Sequence, residues 1–159
     1  MKSFLKTVVV FLLLVVLHYT VRPLVGARIS LDFLVVAVLL VAVQVRPGVA
    51  ALIGFATGLI ADSMVPLSFG AGALALSAVG SAASWLKAAV FGDNILLQVV
   101  FLAAGKWSYD ILYLVVERRL GLGDLAIQLV LWSPLSAIAT GIAGALVVMA
   151  FGISLESRR

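Results

Sequence analysis

The sequence contains no cysteine and only one histidine. The lack of cysteine excludes disulfide bonds, thiolate metal sites and a cysteine nucleophile. A Ser-His-Asp triad would have to use His18, and no nucleophile elbow surrounds any serine. Metal-ligand clusters and phosphate-binding loops are also missing. We therefore predict that the chain is not an enzyme and that it binds no metal and no cofactor.

Charged residues are scarce as well. They make up 11% of the 159 residues, whereas 64% are hydrophobic. A soluble domain has roughly 25% charged and 45–50% apolar residues. The net charge of +4 gives no basic patch for nucleic acid, because lysine and arginine stand at the ends of long apolar runs. This composition predicts an integral membrane protein that contacts the lipid bilayer and binds no nucleic acid.

Six long apolar runs are candidates for helices that cross a bilayer, a crossing that takes about 20 residues. None of them alternates polar and apolar residues as a barrel strand does. The fold class we predict is therefore all-α, a bundle of six transmembrane helices in a single domain over residues 1–159. Pro134 should kink the last helix or split off a short leading segment. The approximate helices are 5–22, 31–45, 48–64, 69–90, 94–116 and 125–153.

Lysine and arginine favour one orientation of this bundle. With the N-terminus inside, six of these residues fall on the cytoplasmic side and four on the outer side, so both termini are predicted to be cytoplasmic. The first run, preceded by Lys2 and Lys6, resembles a signal peptide, but the rest of the chain is itself multispanning, which favours a retained signal anchor.

Small residues are concentrated in the third and fourth runs. Gly54 and Gly58 form a G-x-x-x-G motif, which lets two helix backbones approach closely. The fourth run is mostly glycine, alanine and serine between Gly70 and Ser84. We expect these two helices to pack together inside the bundle, and a homodimer through the same motif is the alternative.

Four ionisable residues lie in or beside the apolar runs. Lys106 and Asp110, four residues apart in the fifth run, share one helix face and should turn inward, toward each other, Gln98 or a carboxylate of another helix. They are either functional or a structural ion pair. Asp32 and Asp62 lie at the outer ends of the second and third runs. They are either a helix N-cap and a solvated helix end, or a pair that lines a cavity or contacts a partner.

One stretch resembles a known family. Asp32-Phe33 opens a helix, the block Gly54-Phe55-Ala56-Thr57-Gly58-Leu59-Ile60-Ala61-Asp62 follows, and Pro66-Leu67 comes next. This order is similar to the bacterial rod shape-determining protein MreD family. The candidate partner-binding or helix-packing residues are Asp32, Phe33, Gly54, Phe55, Gly58, Asp62, Pro66, Lys106 and Asp110.

The resemblance implies a non-enzymatic scaffold of the cell-elongation machinery in the bacterial inner membrane. Such a subunit binds the bitopic protein MreC and helps to control cell shape and lateral peptidoglycan synthesis, together with RodA, its transpeptidase partner and MreB. It also implies a fold similar to the substrate-binding subunits of energy-coupling-factor transporters. The alternative function is a small-molecule transporter, or its membrane substrate-binding subunit, with the four charged residues lining a cavity.

Overall fold

A computed structural model describes residues 2–21, 31–64, 68–90, 94–117 and 121–151, and most of these residues are helical. No strand occurs in these ranges. The all-helical prediction is therefore confirmed. The helices are α1 (Lys2–Val21), α2 (Phe33–Ala42), α3 (Pro47–Asp62), α4 (Ala71–Val90), α5 (Ile95–Glu117), α6 (Leu122–Ile127) and α7 (Ser133–Phe151), with a π-helical turn (Gln128–Trp132) between the last two.

Local chemistry explains several helix boundaries. Pro47 occupies the first turn of α3, where the missing N–H costs nothing. The side chain of Asn94 accepts a hydrogen bond of 3.0 Å from the N–H of Leu96 and so caps α5. The six predicted helical stretches are all present, but α2 is shorter than predicted, because residues 43–45 form a turn instead of a further helical turn. The predicted end of the last helix at residue 153 lies outside the described residues.

Helix α2 is the centre of the bundle. Helices α1, α3, α4, α5 and α7 all pack against it. Nine of its ten residues are buried, so it has no free face. At 1.5 Å per residue its ten residues span about 15 Å, half the thickness of a bilayer core. Its N-terminal residue, Phe33, is buried among the other helices.

Helices α3 and α4 form the closest helix pair. A Cβ atom added to Gly58 would lie 2.6 Å from the backbone nitrogen of Ala73, and one added to Gly54 would lie 2.7 Å from the carbonyl carbon of Leu76. Both contacts are with backbone, which cannot move aside as a side chain can. The motif thus serves packing within the chain, as the small residues predicted. Helix α4 is nevertheless not enclosed as expected, because Leu74, Trp85 and Leu86 are exposed.

The last helix is interrupted by the π-helical turn just before Pro134. Proline lacks an N–H and its ring collides with the carbonyl four residues earlier, so a regular α-helix cannot continue through it undisturbed. The N–H of Ser133 bonds to the carbonyl of Gln128, five residues back, in place of Leu129. The short leading segment expected from Pro134 is therefore present as α6.

The bundle has an apolar core, but it also buries several polar side chains and exposes many large apolar ones. Lys106, Asp62, His18 and Thr140 are buried. Large apolar side chains are exposed on the outer faces of all the long helices, among them Val16, Leu52, Leu74, Leu96, Val130 and Leu146. Two helical stretches, Ile95–Glu117 and Gly123–Phe151, are long and apolar enough to cross a membrane.

Candidate functional site

Lys106 lies at the centre of a network of buried charges. Its side chain is only 2% exposed, and its ammonium group contacts the carboxylates of both Asp32 and Asp110. It also lies 5.3 Å from the centre of the Tyr109 ring, within reach of a cation–π interaction. We call Asp32, Lys106, Asp110 and Ser133 the ion network. It joins α2 and α5 to the start of α7.

Asp32 enters this network because α2 begins deep in the bundle. It occupies the N-cap position of α2, but its carboxylate makes no capping hydrogen bond to that helix. The carboxylate pairs with Lys106 instead, and the backbone N–H of Asp32 donates to the hydroxyl of Thr140 on α7 over 3.3 Å. The imidazole Nδ1 of His18 lies 3.7 Å from the other carboxylate oxygen. Four helices therefore meet at this residue.

Asp110 connects the network to the π-helical turn. One of its oxygens contacts Lys106, and the other accepts a hydrogen bond of 2.6 Å from the hydroxyl of Ser133. One turn earlier on α5, the indole N–H of Trp107 donates to the carbonyl of Leu129 over 3.3 Å. This short part of α5 thus contacts α2 on one side and the last helix on the other.

The arrangement suits a lysine well. An ammonium group has three donors, and two carboxylates from different helices take up part of this capacity. A buried ion pair is stable only when further hydrogen bonds satisfy its remaining polar atoms, and Ser133 supplies one of them. Breaking one partner would leave an uncompensated charge in the interior. The ion network therefore fixes how α2, α5 and α7 are arranged.

Asp62 has a different role from Asp32. It is buried, and one of its carboxylate oxygens accepts hydrogen bonds from the N–H groups of Gly70, at 2.9 Å, and Ala73, at 3.0 Å. These donors are at the N-terminus of α4, where unpaired N–H groups favour an anion. The interpretation of Asp62 as a solvated helix end is wrong, because the tight packing of α3 on α4 encloses it.

Of the remaining candidate residues, some pack against other helices and one is exposed at the surface. Gly54 and Gly58 face α4, and Phe33 is buried in the first turn of α2. Phe55 stands on the exposed side of α3. Pro66 lies outside the described residues.

Sequence reasoning missed three residues of this site. His18 was considered in the sequence only as a possible member of a catalytic triad, but it is buried beside Asp32. Ser133 and Thr140 gave no signal in the sequence, since serine and threonine are common in membrane helices and the partners lie far away along the chain. The proline that follows Ser133 was the available hint of irregular backbone there.

Comparison with known proteins gives a partial likeness. A protein of Haemophilus influenzae described as an uncharacterized permease is 33% identical over 95 residues, which is 57% of this chain. The chain spans only 20% of the length of that protein. No family model matches the chain, and no solved structure does.

Proposed function

We propose that the chain is a multi-pass protein of the bacterial inner membrane, with both termini in the cytoplasm. The many exposed apolar side chains and the buried charges support this proposal. In water, exposed leucine, valine and phenylalanine on every side would form apolar patches far larger than a soluble monomer tolerates. In lipid the same surface is favourable, and the charges of Lys106, Asp32 and Asp62 are kept inside.

In this membrane the protein acts as a scaffold of the cell-elongation machinery and not as an enzyme. It binds a bitopic partner similar to MreC and thereby takes part in the control of lateral peptidoglycan synthesis. The observation that carries this proposal is that some residues of the family-like block in α3 pack against α4 while another is exposed. Gly54, Gly58 and Asp62 hold α4, whereas Phe55, on the flank of the same packing face, is 40% exposed.

The exposed side of α3 is the surface we assign to the partner. Phe55 stands there with Val49, Leu52 and Ile60, all of them more than a third exposed. With 3.6 residues per turn, these four positions spread over about 140° of the helix circumference and form one broad exposed surface. Membrane helices associate by packing such lateral surfaces against each other. A single transmembrane helix of a bitopic protein fits such a face.

Affinity purification of the tagged chain from membranes in mild detergent tests this function. We expect a bitopic protein with a periplasmic domain to be recovered in stoichiometric amount, together with cell-wall synthases identified by mass spectrometry. Phe55→Ala should reduce this recovery. Ile142→Ala, at a position of α7 that is 49% exposed against 40% for Phe55, is the control and should leave the recovery unchanged. Equal recovery with both variants would refute the α3 surface.

The second candidate function is transport, and the likeness to the Haemophilus influenzae permease favours it. Ionisable residues within membrane spans often mark the path of a substrate or ion. In this case the ion network would be the functional site. Recovery of ATPase subunits in the same purification, or of the chain alone with a bound small molecule, would support a transporter and contradict the scaffold function.

A further inference from the structure

The first part of the last helix differs from the rest of the bundle in how it is held. Residues 122–132, which comprise α6 and the π-helical turn, are called the arm here. Among the described helices, none except the π-helical turn packs extensively along α6. Ile127, Val130 and Leu131 are more than half exposed. In contrast, α7 packs closely, and a Cβ atom added to Gly141 would lie 2.8 Å from the carbonyl oxygen of Val99.

The π-helical turn leaves one carbonyl group without its usual helix partners. In an α-helix the N–H of Ser133 would bond to Leu129, but here it bonds to Gln128. Continuing the π pattern, residue 134 would donate to Leu129, but Pro134 has no N–H. The carbonyl of Leu129 receives the indole N–H of Trp107 from α5 instead. A side chain of a neighbouring helix thus replaces a bond that the backbone cannot make.

A second contact from α5 holds the other end of the same turn. Ser133, the residue directly after it, donates its hydroxyl hydrogen to Asp110. We propose that the junction between the π-helical turn and Pro134 is a hinge on which the arm moves relative to α5, and that the hydrogen bonds Trp107–Leu129, on the arm, and Ser133–Asp110, at the hinge, are the latch. Helices bend at π turns and prolines, where the regular backbone bonds are interrupted.

The latch is coupled to the ion network through Asp110. The same carboxylate serves Lys106 with one oxygen and Ser133 with the other. Withdrawing Lys106 from Asp110 changes the charge and position of the group that holds Ser133. The buried charges of α2 and α5 therefore influence the position of an exposed arm. This conformational property goes beyond the proposed function, because it does not depend on the identity of a partner.

The absence of cysteine allows a direct test. Spin labels at Ala126→Cys on the arm and Ala82→Cys on α4, both exposed positions, report the distance between arm and bundle in purified protein. Double electron–electron resonance should give a narrow distance distribution for this background. The pair Trp107→Phe and Ser133→Ala should broaden it and shift it to longer distances. Trp85→Phe with Ser108→Ala, the same changes at exposed positions, should have no effect.

A reference label and one further substitution separate hinge motion from general loosening. The distance between Ala150→Cys on α7 and Ala82→Cys should stay constant in the latch variant. Pro134→Ala restores a backbone donor, so on that background the latch substitutions should broaden the arm distance less. An unchanged arm distance in the latch variant, equal broadening of the reference distance, or no rescue by Pro134→Ala would each overturn the proposal.

Discussion

Lys106 brings together acidic residues that lie far apart in the sequence. Its contact with Asp110 was foreseeable, because residues four apart share a helix face. A carboxylate of another helix was also among the expected partners. That this carboxylate is Asp32 could not be predicted, because it depends on how deep α2 begins in the bundle, which no spacing within one helix encodes. Gln98, which was also considered as a partner, precedes Lys106 on α5 by about two helical turns. It is not among the groups that contact the ammonium.

Removing the charge of Lys106 should destabilise the protein strongly. Lys106→Met leaves two carboxylates without their cation, and breaking a buried pair in this way costs about 3–5 kcal/mol. Adding Asp110→Asn should recover part of this loss, so that the double variant is more stable than the sum of the single effects predicts. The recovery of stability should be only partial, because the buried carboxylate of Asp32 still lacks its cation in the double variant. The free energy of unfolding in mixed micelles measures each variant.

Asp124→Asn is the control for this cycle. Asp124 is exposed in the first turn of α6, where a carboxylate contributes about 0.3–1 kcal/mol through the helix dipole. Strictly additive effects of Lys106→Met and Asp110→Asn would show that the two charges are energetically independent and would reject the ion network as a coupled unit.

Among the elements, the pair α3–α4 was the most predictable from the sequence. Gly54 and Gly58 are four residues apart, and the alanine-rich α4 supplies a smooth surface, so close packing needs no information beyond local spacing. The irregular last helix was predictable in part. Pro134 indicated an interruption of the helix but not its π-helical form. In that form the indole N–H of Trp107, on α5, donates the hydrogen bond that the backbone at Pro134 cannot donate. Such a contact is decided by tertiary packing.

The close approach of α3 and α4 should be sensitive to a single methyl group. Gly58→Ala places a Cβ against the backbone of Ala73, so the helices must separate, and overpacking of this kind costs typically about 1–3 kcal/mol. Gly48→Ala, on the same helix with no atom within 4 Å of the added Cβ, should instead stabilise by about 0.5–1 kcal/mol. Thermal unfolding of the two variants compares them. An equal change in both would contradict the tight α3–α4 interface.

For the whole molecule, composition predicted the helical class, whereas the arrangement of helices around α2 was beyond it. Every apolar run looks alike in hydropathy, and the sequence does not reveal which one is enclosed on all sides. The uninterrupted apolar character of α2, without a polar face, is the feature that agrees with its central position. The proposed orientation rests on the lysine and arginine distribution.

Single cysteines test this orientation, since no native cysteine interferes. Arg46→Cys, in the turn between α2 and α3, should be protected from a membrane-impermeant maleimide in cells with an intact inner membrane. Gly121→Cys, before α6, should react under the same conditions. Both positions are exposed in the structure. The opposite labelling pattern would place the termini outside, and labelling of both or neither would rule out a turn on each side of the membrane.

The central helix also has a consequence for biosynthesis. The N-terminus of α2 makes its hydrogen bond with Thr140, which follows Asp32 by 108 residues. At about 5–20 residues per second, the ribosome needs roughly 5–20 s to add this length. In the proposed membrane protein, the apolar helix in the middle of the bundle would then wait in the membrane or its insertion machinery until Thr140 has been synthesised. Assembly of the centre is therefore completed late in translation, with the outer helices closing around a segment that was made early.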